Sequence, residues 1–565
     1  MDRRNLEGWW LPVIAAIPFV ALFGGIAVFG VNVPSVDSLG YIWLSEKFAN
    51  HTATIGDFFA PYYEHIFAAP LYVATVILAA SHGNYKLILF LMAVLALLSI
   101  LFIVRISLCT NQHAKKSYLV IPVLCTAMLI ASYTQWETWT YPTILAEVFG
   151  QTIFVAALWI LTERMNGTMK LLITAMLCIL CSFSFPNGML SWLVLLPLII
   201  AQRDQKNRNG LLLIVIVCFC ITVGLEHAAI ANIGVVSDRY VYPLHHPFAT
   251  ALNFLTILGA PLLPVHALRS VTALIGLGLL AGGVWMSVRA LRGERAIRTA
   301  ALPWICLFLF AVSSALLIAL GRSFAGSWSA FISRYYSVTT YVAIAVLWLS
   351  YGVYPRKRII TIIVAGILCV SSVIFSVLSI SAWEKPSFLL RQGAACLETY
   401  PIASRSCLSK LYPWTIPSAD YVRDLAPTLE KLSFLKQFTL PKDLRFISHD
   451  TTASGALESI TTLQPSNDML IGTGTLVAHG WATLGCAPAN HVYLTYGTPP
   501  MLLAHTTAFL PRPDLKNSCA AHAGWEIEFD PPAKRTHVIV SAWVYDASQN
   551  ALVQLSGSVR IASSR

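Results

Sequence analysis

WLPVIAAIPFVALFGGIAVFG at residues 10–30 and VNVPSVDSLGYIWLSEKFANHTATIGDFFAPYYEH at residues 31–65 decide the fold between them. The first is uncharged over its whole length, enough helix to cross a hydrocarbon layer of about 30 Å. The second is too polar to stay there. It still carries Trp43, Phe48, Phe58, Phe59, Tyr62 and Tyr63, and aromatic residues of this kind settle at a membrane–water boundary. Asp37, Asp57, Glu64 and His65 lie among them. In a chain soluble mostly in hydrocarbon, acids held at the membrane edge are the first candidates for chemistry.

The rest of the chain fits this start. Of 565 residues, 56% are hydrophobic and 12% charged, and the mean hydropathy is +0.67. That composition excludes an ordinary soluble domain and indicates a multi-span membrane protein. The net charge of +11 is not a nucleic-acid signature, because its cations sit in short loops between apolar runs, where they orient a membrane protein. MDRRNLEG precedes the first run with no small-residue cleavage site at its end, so that run is read as a retained span.

About eleven spans are expected, near 10–30, 86–105, 118–133, 147–163, 169–185, 188–202, 210–229, 268–290, 301–320, 336–353 and 359–381. Basic loops at Arg105 to Lys116, Arg164 to Lys170, Arg289 to Arg298 and Arg356 to Arg358 mark the cytoplasmic side. Ile66–Ala80 and Phe248–Leu263 are too short to span and suit interfacial or re-entrant helices. The N-terminus is then inside and the C-terminus outside. Three parts are expected: a bundle over 1–381, a mixed region over 382–467, and a β-sandwich over 468–565. In the last, alternating stretches such as HVYLTYG and THVIVSAWVYD are broken by Gly, Pro and Asn. Eight of twelve cysteines lie in or beside apolar runs. Cys396 with Cys407, and Cys486 with Cys519, form two local pairs read as disulfides of an oxidising compartment.

The outward loops collect the unusual residues. Asp37 has two readings that can coexist: a helix N-cap, and a general base that deprotonates an acceptor hydroxyl. Glu64 and His65 start a helix, as the helix dipole favours for Glu, or bind sugar hydroxyls. Gln135, Trp136 and Glu137 leave a span as a polar and stacking surface, or as an interfacial anchor. Arg322 and Arg334 lie outside, against the positive-inside bias, and a guanidinium fork matches phosphate oxygens; snorkelling to headgroups is the plainer alternative. His245 and His246 lack a third ligand at fixed spacing, so no metal is assigned. There is no P-loop, GxGxxG, HExxH, GxSxG or DxD element.

A long first outer loop with an early acid, an interfacial helix, about eleven spans and an outer C-terminal domain resemble the GT-C-type glycosyltransferases. Within these, the chain is similar to a bacterial multi-pass group on the strength of YYEH at 62–65, QWE at 135–137, NG at 187–188, SRY at 333–335, GWA at 480–482 and RPD at 512–514. Ile66 stands where that group commonly has Arg. The resemblance implies a transferase of the bacterial inner membrane that moves a hexosyl or pentosyl unit, with inversion, from a polyprenyl-phosphate donor to a periplasmic glycan or lipid-linked acceptor. It implies Asp37 as general base; with the readings above, Glu64, His65, Gln135, Trp136, Glu137 and Asn187 are the expected substrate contacts, and Arg322, Arg334 and Tyr335 those of the lipid phosphate. No cofactor or divalent metal is expected, since Val36 and Ser38 flank Asp37 without a second acid. A lipid-linked sugar flippase and a non-catalytic, membrane-anchored glycan-binding protein are the rival readings.

Overall fold

The structure is a computed structural model that describes residues 10–62, 65–111, 116–163, 165, 167–201, 205–231, 237–353, 358–400, 403–412, 418–435, 444–448, 452–462, 476–515, 520–531 and 537–562. It divides into two compact units, Met1–Gly30 with Ala53–Val76 and Lys86–Glu384, and Val31–Thr52 with Ile77–Tyr85 and Lys385–Arg565.

The first unit is helical. Helix Trp10–Phe29 buries Leu11, Ala15, Phe19, Leu22 and Ile26 along one stripe. Its other faces expose Val13, Ile17, Val20 and Val28, so it is apolar all round, as a lipid-facing helix must be. Helix Tyr336–Val353 is buried almost throughout and forms the centre of the bundle. Flat aromatic contacts join the helices here: Trp304 stacks on Trp348 of this helix at 5.0 Å, and Phe154 stacks on Phe310, between two other helices, at 3.9 Å. The Trp348 indole N–H donates to Thr126 Oγ1 at 3.1 Å, which satisfies a polar atom that has no water to turn to.

Among the described residues, eight helices are long and apolar enough to cross a membrane: Trp10–Phe29, Tyr85–Thr110, Lys116–Thr140, Pro142–Thr162, His266–Arg292, Arg295–Ala325, Ser333–Val353 and Thr361–Glu398. Three further stretches read as spans, near 169–185, 188–202 and 210–229, are helical over shorter apolar lengths: Gly167–Ser182, Pro186–Ile200 and Leu212–Leu225. Pro186 and Pro197, each in the first turn of a short helical segment, divide this region into pieces. The two segments expected not to span are the short helices Ala68–Ala80 and Pro247–Gly259. The fold class is therefore the expected one, a membrane-type helical bundle followed by a β domain.

The second unit holds nine strands: β1 (Arg445–Ile447), β2 (Ala453–Thr462), β3 (Leu476–Leu484), β4 (Ala487–Pro488), β5 (Val492–Tyr496), β6 (Met501–Thr506), β7 (Gly524–Phe529), β8 (His537–Asp546) and β9 (Ala551–Ala562). They form one curled sheet in the order β4-β3-β2-β9-β8-β5-β6, with β1 on β9 and β7 on β3. One face of the sheet carries a core of Leu457, Ala478, Val492, Leu494, Trp525, Phe529, Val540, Val544 and Leu555. Period-two alternation puts these side chains on one face. Strand pairing starts at Arg445, ahead of residue 468, because β1 and β2 also belong to the sheet.

Helix Ile380–Glu398 and the short helix Arg405–Ser409 carry the Cys396–Cys407 disulfide. The Cys486–Cys519 pairing lies outside the described residues, because Cys519 does. Lys410 is almost fully buried, pairs with Glu528 at 2.8 Å and also bonds Gln392, while Ser406 Oγ donates to Glu528 at 2.6 Å. A buried charge pair needs such supporting bonds to offset desolvation. The two C-terminal motifs serve the scaffold. Arg512 forks onto Asp514 and, on β2, Glu458, with N–O distances of 2.6–3.1 Å. A Cβ on Gly480 would collide with the Ala456 carbonyl and the Trp525 ring, so only glycine lets β3 sit this close.

Candidate functional site

In the bundle, chain connections bring the singled-out segments to one end. Segment Trp136–Thr140 closes one span, Pro142–Thr162 starts the next, Arg322 ends helix Arg295–Arg322, and Ser333–Tyr335 opens helix Tyr336–Val353. The basic residues Arg289, Arg292, Arg295 and Arg298 flank the connection at the other ends of their helices. QWE and SRY, far apart in sequence, are bonded partners. Glu137 Oε2 accepts from Ser333 Oγ at 3.1 Å and from the Arg334 backbone N–H at 3.0 Å. The Glu137 N–H donates back to Ser333 Oγ at 3.0 Å. A carboxylate at the opening amides of a helix is the stabilising sign of charge there.

This arrangement fixes Arg334. Its guanidinium lies 5.4 Å from the Tyr335 ring centroid. The carboxylates of Glu137 and Glu147 both attract it, but among the described residues neither Arg334 nor Arg322 has a carboxylate at ion-pair distance. Glu147 is buried; it accepts from Ser337 Oγ at 3.4 Å, and Ser337 in turn receives the Gln151 amide at 2.9 Å. The Arg322 charge also acts on Glu147, so both arginines lie within electrostatic reach of the same carboxylate. The Tyr141 phenol, just outside the spans, is raised above its ordinary range by burial first and then by Glu137, with Arg334 opposing.

His65 belongs to this end as well. Its ring lies 6.2 Å from Phe185 and 5.9 Å from Phe67, and Phe67 stacks on Phe185 at 6.0 Å. Burial, then the Arg322 charge, pushes its pKa down to about 4, so the imidazole is neutral at pH 7. The Phe185 to Gly188 turn supports it. Gly188 is required there because a Cβ would strike the Cys181 carbonyl, and Asn187 is buried beside it. The Gln135 amide is spent on the carbonyls of Leu129 and Ile130, at the end of helix Val120–Ile130. Trp136 is partly exposed, 6.1 Å from the Tyr141 ring. Glu64 lies outside the described residues. Glu147 is the residue that sequence reasoning left out of the site; its signal was a polar stripe, Glu147 and Gln151 one turn apart, inside an apolar run.

Asp37 belongs to the other unit. It sits in the short turn Val36–Gly40, whose N-cap position is Ser35. Ser35 N–H donates to Ser38 Oγ at 2.9 Å and Ser38 Oγ donates to the Ser35 carbonyl at 2.7 Å. The turn is therefore capped without Asp37, whose carboxylate instead accepts from the Tyr412 hydroxyl at 3.2 Å. Tyr41 and Tyr421 are raised by burial first and next by the Asp37 charge, which places three phenols around it. The Val36 N–H donates to the Leu411 carbonyl at 2.7 Å, and Glu46 pairs with Lys431 at 2.9 Å, so this loop is anchored along its length. Among the described residues Asp37 belongs to no group of three or more potential metal ligands.

No family model matches the sequence, and no curated protein matches it. Among solved structures, the chain is similar to the archaeal oligosaccharyltransferase AglB from Archaeoglobus fulgidus, solved with an inhibitory peptide and a dolichol-phosphate. The identity is 14% and the TM-score 0.39, over 78% of this chain and 63% of that one, so the chain spans less than two thirds of that protein.

Proposed function

We propose that this chain is a membrane glycosyltransferase that takes a sugar from a polyprenyl-phosphate donor and passes it to a glycan or lipid-linked acceptor on the outer face of the bacterial inner membrane. One observation carries the reading: two arginines at one end of the bundle, Arg322 and Arg334, with no carboxylate at ion-pair distance among the described residues. A guanidinium with no carboxylate partner suits a phosphate, whose oxygens match its fork of donors.

In the proposed reaction, the donor tail lies among the spans and its phosphate meets Arg322 and Arg334. Glu137 fixes the backbone from which Arg334 projects. Asp37 removes the proton from the acceptor hydroxyl, and that oxygen attacks the anomeric carbon. The carbon–oxygen bond to phosphate breaks, and the phosphate leaves with its charge met by guanidinium. A single displacement inverts the configuration. The reaction proposed is metal-independent, and the neutral His65 beside Arg322 supplies a hydrogen-bonding group for a sugar hydroxyl.

The test is donor binding and turnover by the full chain in proteoliposomes. Arg334→Ala and Arg322→Ala, each folded, are expected to lose polyprenyl-phosphate binding at least tenfold. Undiminished binding by both variants ends the reading. Transport of an unaltered lipid-linked sugar by protein that catalyses no transfer also ends it.

A further inference from the structure

Glu398, His491 and His505 converge in the C-terminal unit, on segments that sequence spacing does not link. Each offers one ligand atom, and the three atoms lie within 4.8 Å of one another. We propose that they form a binding site for a divalent transition metal, Zn²⁺ by its two-nitrogen, one-carboxylate donor set. This site does not depend on the transferase reading.

The geometry is that of a site already built. His505 is fully buried on β6, and its Nδ1 lies 3.1 Å from the Ala395 carbonyl. That contact makes Nδ1 the protonated nitrogen and turns the Nε2 lone pair inward. A backbone carbonyl holding the far nitrogen is the usual way a metal-bound histidine is oriented. His491 Nδ1 lies 3.0 Å from His505 Nε2, and the two rings stack with centroids 5.2 Å apart. Two nitrogens of a tetrahedral zinc shell, at bond lengths of about 2.0–2.1 Å, are separated by roughly 3.3 Å. A small opening of the pair therefore admits the ion. Without metal, His491 donates its Nδ1 proton to His505. With metal, that proton moves to Nε2 of His491 and both lone pairs bind the ion, so no net proton is released by the histidines.

Glu398 supplies a carboxylate oxygen from the last residue of helix Ile380–Glu398, two residues from the Cys396 disulfide. Three protein ligands leave a fourth position for water. The ion would clamp the end of this helix onto the β5–β6 hairpin, beside the existing Ala395–His505 bond.

The experiment uses the full chain in detergent, without a polyhistidine tag, stripped with chelator and titrated with ZnCl₂ by calorimetry, with metal content measured after gel filtration. Wild type is expected to retain one equivalent and to unfold at higher temperature with zinc. Glu398→Gln and His491→Ala are expected to weaken binding at least tenfold and to lose the thermal shift. His505→Ala removes a buried ring, so the two partly exposed positions are the primary variants. Failure of folded wild type to take up zinc overturns the proposal. So does one-equivalent uptake that is unchanged in both primary variants, which would assign the ion to cysteine thiols or other groups.

Discussion

Removing the Glu137 carboxylate tests whether the two distant motifs work as one device. Its Oε2 accepts from Ser333 Oγ in a buried setting and from the Arg334 N–H in a partly buried one. In Glu137→Ala these two donors lose their acceptor, at about 1–3 kcal/mol each, or roughly 2–6 kcal/mol together. Glu137→Gln keeps an oxygen at the same place and gives up only the charge-assisted part, about 1 kcal/mol. Thermal unfolding of the full chain in detergent should therefore rank wild type above Gln and Gln well above Ala. The functional readout follows the same order. Donor affinity should fall in the Ala variant because Arg334 is no longer held, and should be largely retained in the Gln variant. An Ala variant that melts within about 1 °C of wild type, or that binds polyprenyl-phosphate as tightly, refutes the assignment of Glu137 as the residue that positions Arg334.

Asp37→Asn keeps an acceptor for the Tyr412 hydroxyl and removes the base, so transfer should fall about 10²–10⁴-fold with the melting temperature unchanged; retained turnover rejects Asp37 as base. Lys410→Met strands the Glu528 carboxylate and should cost about 3–5 kcal/mol, read as a lower unfolding midpoint of the full chain. Opening the Cys396–Cys407 bond as a double Ser variant releases a loop of separation 11 and should cost about 3 kcal/mol by loop entropy. His65 binds its proton at about 4 when folded but near 6.5 when unfolded, so the unfolded chain holds the extra proton between these values. Stability should accordingly rise with pH from about 4 to 6.5 and decline on acidification through that window, and His65→Asn should flatten this part of the profile relative to wild type.

The spans were legible because a run of twenty apolar residues leaves a membrane helix few alternatives, and each predicted span has a helix behind it. The pairing of Glu137 with Ser333 was not legible; nothing in either segment states its partner across 196 positions, although both had been marked as motifs. Asp37 looked like a cap because it follows Pro34, but Ser35, two residues nearer the turn's start, takes that position. Strand β2, ASGALESITT, escaped notice because its small and polar residues blur the alternation that exposes β5 and β8. Gln135 read as a sugar contact, while its amide completes the end of a helix whose last carbonyls need donors.

The first long loop has a practical bearing on any attempt to dissect this protein. Residues 31–52 and 77–85 group with the C-terminal unit, through Leu411, Tyr412 and Lys431 for the first stretch and Phe434, against which Gly83 packs, for the second. A fragment cut at residue 385 would leave those surfaces bare and the buried Leu411 exposed to water. The half of the molecule that looks detachable on paper is stitched by two inserts from the N-terminal quarter, so no single contiguous fragment contains it.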